Sequence, residues 1–440
     1  MATAARANER VSPARACAYR VVRRVFEQGA YADRALHAEA GALPARERSF
    51  AMALSYAVVQ RRATLDHVIE RLAARPTGRL QPPVVAALRL GTAQLLLLDG
   101  VPEHAAVDES VKLAKLDAPR AAGLVNAVLR RTSREGAEIL AEMDDATPAR
   151  AALLRSVPVW LARLWFDELG ADQARVLLEA INQPAESVLR INTLAATVAE
   201  VAERLPVATT SAPGFPDALI LEGPFDAHGS QLWDEGKIMP QSRGSMTPPL
   251  LLRPTPGERV LDLCSAPGAK ATQLAALTGG EGQVVCVEQN PRRADGLRQT
   301  LRRMHAGSAT VRVADAGEPV ADGPYDRVLA DPPCSGLGTL QSRPDLRWRT
   351  SPERIAATAE LQERVLQAAA TAVRRGGVLV YSVCTISRVE SEAVVDRFRA
   401  RNEDFIVEPP PGHDPEIQYL RLLPHLHGTD GFFVARLRRR

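Results

Sequence analysis

An apolar run, Val328-Leu-Ala330, breaks at Asp331 and two prolines and then presents a thiol, Cys334, and a glycine, Gly336; no other stretch constrains this chain as strongly. A short β-rich run that stops abruptly at Pro and Gly reads as the end of a buried strand opening into a loop. About fifty residues on, Gly377-Val-Leu-Val-Tyr-Ser-Val-Cys-Thr385 repeats the plan and ends in a second thiol, Cys384. Upstream, Arg259-Val-Leu-Asp-Leu-Cys264 reads as a strand, Ser265-Ala-Pro-Gly-Ala-Lys270 as a tight turn of small residues, and Ala271 onward as a helix. Gln283–Glu288 and Ala309–Val313 read as further strands, the second followed by Asp315, with helices at Pro291–Met304 and Pro352–Arg374. This alternation predicts an α/β, Rossmann-like, doubly wound parallel sheet over 236–440, with its ligand beyond the strand C-termini.

The turn sets the class of ligand. Small residues let the backbone approach closely, and a helix N-terminus offers N–H donors to a carboxylate or phosphate. Glu288, an acid about twenty residues after the turn, suits the two hydroxyls of a ribose. The full GxGxxG phosphate fingerprint is missing, which favours a nucleoside without a pyrophosphate.

The front of the chain has a different pattern. Residues 1–140 carry helical spacing at Ala14–Gln28 and Glu47–Ile69, and Val84–Leu98 is apolar nearly all round, as a central bundle helix would be. Two more helices are expected at Val101–Lys115 and Ala121–Arg131, then a polar linker over 133–150 broken by Gly136 and Pro148. Within 141–235, helical runs at Trp160–Leu169 and Ala171–Ala180 precede strands at Ser187–Thr193 and Ala218–Leu221, so a small α+β linker domain is expected. Arg190 and Asn192 on the first of these strands either touch RNA or face solvent.

Composition narrows the setting. At 440 residues the prior is two to four domains. The net charge of +3 does not by itself imply a polyanion partner. Of the 55 cations 51 are arginine, which either serves bidentate phosphate recognition or reflects codon bias. The five cysteines (Cys17, Cys264, Cys286, Cys334, Cys384) form an odd set without a CxxC pair, so reduced thiols in a cytoplasmic enzyme are expected, with no disulfide framework and no metal site. The N-terminus lacks an apolar leader core, and no run of about 18 apolar residues signals a membrane span. His413, His425 and His427 read as solvated loop, and the tail Arg436-Leu-Arg-Arg-Arg440 as a candidate phosphate contact.

Asp262-Leu-Cys-Ser-Ala-Pro-Gly-Ala-Lys270, Asp331-Pro-Pro-Cys-Ser-Gly336 and Ser382-Val-Cys-Thr385 together resemble the S-adenosylmethionine-dependent RNA cytosine-5 methyltransferases of the NOL/NOP/Sun family. The resemblance implies that Cys264, Ser265, Ala266, Pro267, Gly268, Ala269 and Lys270 wrap the methionine end of the cofactor. It further implies that Glu288 holds the ribose, Asp315 contacts the adenine, and Asp331 borders both cofactor and target base. At the front, Leu90-Gly91, Val107–Val111 and Gly123–Arg130 resemble the fold of the antitermination factor NusB, an RNA-binding helical bundle. That resemblance implies either RNA contact through arginines such as Arg61, Arg62, Arg130 and Arg131 or a generic helical scaffold. The combination points to the bacterial ribosomal RNA branch of the family, with 16S ribosomal RNA as partner and a monomer as the expected state. A transfer RNA cytosine-5 methyltransferase and an RNA-binding assembly factor without turnover are the alternatives. Two departures stand out. Gly268-Ala269-Lys270 replaces the family's Gly-Gly-Lys, which requires an ordinary φ at Ala269. Met239–Met246 replaces a Gln-Asp-x-Ser-x-Gln segment, and aligned on Ser242 the Asp and both Gln are lost.

The implied chemistry demands a thiol. C5 of cytosine is a poor nucleophile until something adds to C6, and a thiolate both adds and leaves well. A free Cys ionises near 8.5, so the nucleophile must be activated by its surroundings. Spacing alone leaves the attacker open. The DNA-type precedent selects Cys334; the RNA family selects Cys384 and leaves Cys334 to assist release.

Overall fold

A computed structural model describes residues 11–320 and 322–440, so the leader expectation, which rests on residues 1–10, lies outside the described residues. The chain divides into two compact units, one of residues 1–182 with 340–349 and one of 183–339 with 350–440.

The first unit is helical. Its centre is Pro82–Leu96, every residue of which from Val84 to Gln94 is buried, as the unbroken apolar pattern predicts. Pro83 at its second position is harmless there because the first helical N–H groups have no intrahelical partner. Gly91 lets Ala122–Ala141 approach closely, since a Cβ there would lie 2.5 Å from Leu129 Cδ1. The pattern read as one span over 47–69 is two helices, Ala45–Gln60 and Arg62–Ala73, parted at Arg61. The expected linker at 133–150 is shorter than its composition suggests. Gly136 sits inside Ala122–Ala141, where Leu96 packs against it and a Cβ would meet both Leu96 methyls at 3.0 Å. Beyond it, Pro148–Arg155 packs on Arg62–Ala73, and Val159–Leu169 and Ala171–Ala180 pack on that helix in turn, extending this unit to Asn182. No described helix is long and apolar enough to cross a membrane.

Ten residues from far along the chain, Leu340–Arg349, complete this unit. Arg347 is fully buried there and donates to the carbonyls of Gln60 (3.3 Å), Ser156 (3.2 Å), Ile181 (3.2 Å) and Leu340 (3.3 Å), and to Asn182 Oδ1 (2.9 Å). The Trp348 indole donates to Val59 O at 2.7 Å. Burial, then the nearby Arg61 charge, pulls the Arg347 guanidinium down to about 9. Arg347→Met keeps bulk but strands several buried acceptors, each worth about 1–3 kcal/mol when unsatisfied. The helical unit should therefore lose at least about 3 kcal/mol, read as a lowered urea midpoint of the full chain; an unchanged midpoint counts against this role.

The second unit holds two sheets. A small antiparallel sheet has the order β2-β3-β1-β4, from β1 (Val188–Ile191), β2 (Thr209–Ser211), β3 (Ala218–Leu221) and β4 (Ile238–Pro240), with the helix Val198–Arg204 packed against it. The large sheet comprises β5 (Arg259–Leu263), β6 (Gln283–Glu288), β7 (Ala309–Val313), β8 (Tyr325–Ala330), β9 (Val373–Val383), β10 (Phe405–Val407), β11 (Tyr419–Leu422) and β12 (Phe432–Arg439). Its order is β10-β12-β9-β8-β5-β6-β7, with β11 paired to β12. Strands β5 to β9 are parallel, as expected, but the sheet is mixed. A hairpin from β11 brings β12 in antiparallel to β9, and β10 joins β12 antiparallel. Alternation divides the strands between two cores. Leu261, Leu263, Val285, Val287 and Leu379 face one side, and Val260, Val284, Cys286, Val378 and Val380 the other. Each such side chain contributes about 1.5–3 kcal/mol of apolar burial. This two-sided burial explains why these strands read as continuous apolar runs.

Two sets of polar residues read as candidate RNA or phosphate contacts carry internal hydrogen bonds and ion pairs, and the first set is buried. Arg190 and Asn192 are buried. Arg190 donates to Gln241 Oε1 (2.8 Å) and Thr272 Oγ1 (2.7 Å), and Asn192 to the carbonyls of Gly236 (2.9 Å) and Met304 (2.8 Å). In the C-terminal tail, Arg436 donates to Leu251 O and pairs with Glu408, Arg438 pairs with Glu408, and Arg439 pairs with Asp404. An alternating pattern reveals which residues share a face, not which face is covered.

Candidate active site

Strand order reverses around β5, which has β6 on one side and β8 on the other, and the C-terminal ends at this switch point carry every expected site residue. After β5 the backbone turns through Cys264 at φ 65° and Gly268 at φ 111°. Gly268 caps the helix Ala269–Leu277 without a side-chain cap bond, leaving first-turn N–H groups for a ligand. Ala269 is the first residue of that helix, so alanine is accommodated where the family has glycine. The segment 239–246 also has a structural use. Gln241 accepts from Arg190 and donates to Gln273 Oε1 at 3.0 Å, and the Ser242 hydroxyl caps the helix Arg243–Leu252.

Glu288, the last residue of β6, is buried, accepts from Asn290 N at 2.8 Å and lies 3.4 Å from Arg293. Asp315, just beyond the neighbouring β7, accepts from Gly317 N at 2.8 Å and from Arg364 at 3.4 Å. Asp262 in β5 is 1% exposed, and neither carboxylate oxygen has a hydrogen-bond partner among the described residues. Burial, then the charge of Asp331, pushes it up to about 7.

Asp331 follows β8 and is gripped from two sides. Lys270 Nζ donates to Oδ2 at 2.8 Å and Ser382 Oγ to Oδ1 at 2.7 Å. Burial alone would lower Lys270, yet the charge and hydrogen bond of Asp331 outweigh it and the ammonium is raised. The two loop thiols, fifty positions apart in sequence, meet: Cys334 Sγ and Cys384 Sγ are 3.2 Å apart and both are free cysteines. Their surroundings differ. The contact with Cys384, burial and the nearby Glu390 carboxylate raise Cys334 well above a normal thiol. Cys384 instead lies within the field of the Lys270 ammonium. Gly338 fixes the Cys384 backbone by donating to its carbonyl at 3.0 Å, and Gly338 also accepts from Gly431 N at 2.8 Å. A Cβ on Gly338 would lie 2.0 Å from Gly431 O, so only glycine fits this crossing.

Every expected site residue thus lies at one edge of one sheet. Sequence reasoning missed Glu390, a fully buried carboxylate in the turn after β9, because a lone Glu in a polar turn normally faces solvent. The cysteines Cys17 and Cys286 are buried core. Of the four arginines considered for RNA contact, Arg61 donates to Leu154 O and Arg62 stacks on Phe26 and Trp348. Arg131 is tied to Leu72 O and Glu135, and Arg130 lies on the surface beside Asn126.

Loops converging at the switch point of a Rossmann-like sheet, a helical front and a small antiparallel sheet define a multidomain protein with a methyltransferase-type α/β domain. Residues 249–438 match the family described as 16S rRNA methyltransferase RsmB/F, residues 12–134 the NusB family, and residues 157–228 the ferredoxin-like domain of RsmF/B-like methyltransferases. A Synechocystis protein named probable ribosomal RNA small subunit methyltransferase B is 36% identical, over 97% of this chain and 99% of its own length. The Thermus thermophilus ribosomal RNA small subunit methyltransferase B is 38% identical, over 90% of each chain. The crystal structure of PH0851 superposes with a TM-score of 0.83 at 26% identity, covering 98% of this chain and 99% of that one. The chain belongs to the RsmB/F family of methyltransferases.

Proposed function

We propose that this protein transfers a methyl group from S-adenosylmethionine to C5 of a cytosine in 16S ribosomal RNA through a covalent bond between Cys384 and C6. The observation that carries this reading is the pair of free thiols 3.2 Å apart beside an acid held by Lys270 and Ser382. The names of the relatives support the ribosomal substrate. The site fits the cofactor by the chemistry of its donors. Open N–H groups at the N-terminus of Ala269–Leu277 suit the methionine carboxylate, buried Glu288 suits two ribose hydroxyls, and Asp315 suits an adenine amino group. When bound, the cofactor supplies the electrophilic methyl group.

The residues then divide the labour. Cys384 is the attacker, as the family resemblance implies, and Lys270 is the cation placed to favour its thiolate, while the contact with Cys384, burial and Glu390 raise Cys334. As the Cys384–C6 bond forms, the C5=C6 electron pair moves to C5, and Asp331, taking a proton from the Lys270 ammonium 2.8 Å away, passes it to N3 to stabilise the ring. C5 takes the methyl group and then gives its proton to solvent water, the freed pair re-forming the C5=C6 bond as the C6–sulfur pair returns to Cys384. Cys334 assists this release. In this reading residues 1–140 are the NusB-like RNA-binding domain, 141–235 a linker domain whose helices as far as Asn182 pack with the front unit, and 236–440 the catalytic domain, acting as a cytoplasmic monomer.

Bisulfite mapping of unmodified 16S ribosomal RNA incubated with the full chain and S-adenosylmethionine should show a newly protected cytosine. Protection confined to transfer RNA would favour the first alternative, and RNA binding without any methyl transfer the assembly-factor alternative. The cofactor pocket has its own check. Glu288→Ala should weaken S-adenosylmethionine binding, read by calorimetry, by about 1.5–3 kcal/mol, the worth of hydrogen bonds to a charged group. Unchanged affinity would remove Glu288 from the site.

A further inference from the structure

The two thiols sit on separate loops, which the main chain ties once, where Gly338 N on the Cys334 loop donates to Cys384 O at 3.0 Å; the side chains add a second set of ties. The residue after each cysteine converges on one buried carboxylate. Glu390 accepts from Ser335 N at 2.8 Å and also from the Ser335 hydroxyl. It accepts from Thr385 Oγ1 at 3.1 Å, and the Ser335 and Thr385 hydroxyls lie 2.8 Å from each other. Gln362, on the helix Pro352–Ala372, donates to Glu390 at 3.1 Å and to Pro333 O at 3.0 Å. The Tyr381 hydroxyl donates to Glu390 O at 2.6 Å, fixing the turn that carries the carboxylate. Four donors on two loops and a helix thus saturate one side chain that is 0% exposed. A carboxylate is the group suited to this position, because it accepts on both oxygens and donates on neither.

We propose that Glu390 is a positioning residue that locks the Cys334 and Cys384 loops in register, so that the attacking and the releasing thiol reach the same base. It touches neither cofactor nor base and acts through Ser335 and Thr385. The inference rests on the cytosine-5 reading for its purpose, and on the hydrogen bonds alone for the register.

Glu390→Gln conserves shape but turns an amide N–H₂ toward at least one existing donor. The test reads loop register directly. Diamide takes up two hydrogens and becomes a hydrazine as two adjacent thiols become a disulfide, so the rate of Cys334–Cys384 crosslinking in the full chain, read by peptide mass, reports how often the sulfurs meet. Glu390→Gln should slow it about tenfold or more, and lower kcat for methylation of a 16S ribosomal RNA transcript by a similar factor with KM for S-adenosylmethionine unchanged. Thr385→Val and Ser335→Ala, each losing one tie, should give smaller losses of the same kind, and Thr385→Ser, which keeps the hydroxyl, should restore the wild-type rate. If Glu390→Gln fails to fold, these three variants decide. A folded Glu390→Gln protein that crosslinks at the wild-type rate, or one that crosslinks slowly but methylates normally, overturns the proposal. Should the wild type itself methylate nothing, the functional reading falls, while the crosslinking rates still judge the clamp.

Discussion

Replacing Cys384 by alanine is expected to abolish methyl transfer, by roughly 10⁴-fold or more, and with it any covalent RNA adduct, because addition to the ring cannot begin without the attacking sulfur. Cys334→Ala should behave differently in kind. If Cys334 serves only release, addition and methyl transfer proceed and the adduct then stalls. Protein crosslinked to RNA should accumulate on a denaturing gel when S-adenosylmethionine is present. The electrostatic asymmetry of the pair underlies this ordering. The two sulfurs lie 3.2 Å apart; the contact with Cys384, burial and the nearby Glu390 raise Cys334, while the Lys270 ammonium lies in the field of Cys384. An adduct lost in Cys334→Ala and retained in Cys384→Ala would reverse the assignment of the thiols and leave the reaction class standing.

The second large effect is expected at Asp331. Asp331→Asn preserves volume, yet Lys270 Nζ and Ser382 Oγ both donate to the native carboxylate, so the amide nitrogen must face one of those donors. The side chain then loses its grip or its orientation, and the ring is left without its acid. A loss of about 10²–10⁴ in single-turnover methylation follows, the usual worth of a positioned acid–base group. Adduct formation should fall in step, since Asp331 acts at the addition stage. A normal adduct yield with slow methylation would move Asp331 from ring activation to methyl transfer.

Much of this architecture was legible because it is local. The buried helix Pro82–Leu96 announces itself as an unbroken apolar run, and the strands of the large sheet are read the same way. The site loops are marked by the residues that break those runs: Gly268 at positive φ, the prolines after Asp331, and a thiol at each of two strand ends. Given parallel strands, their C-terminal ends must share one edge, which is why the sequence alone brings Cys264, Glu288, Asp315, Asp331 and Cys384 together. Misreadings arose where one residue type serves two structures. Gly136 resembles a linker glycine but is where Leu96 packs on a helix, and a helical spacing continuous over 47–69 conceals the break at Arg61.

The sequence by itself therefore determined the elements, their edge and the chemistry the loops carry, since periodicity and backbone-restricted residues act within a few positions. Only the tertiary structure decided the fate of the buried polar groups. Glu390 meets Ser335 across 55 positions, Arg347 meets Ser156 across 191, and Arg190 meets Thr272 across 82. Whether an arginine or glutamate faces water or is locked inside depends on hydrogen-bond partners delivered by other segments. An unpaired buried charge is too costly to persist, so the same side chain is solvated in one context and structural in another. The antiparallel return of β12 and the capture of Leu340–Arg349 by the helical unit are long-range in the same way, fixed by partners that no local pattern names.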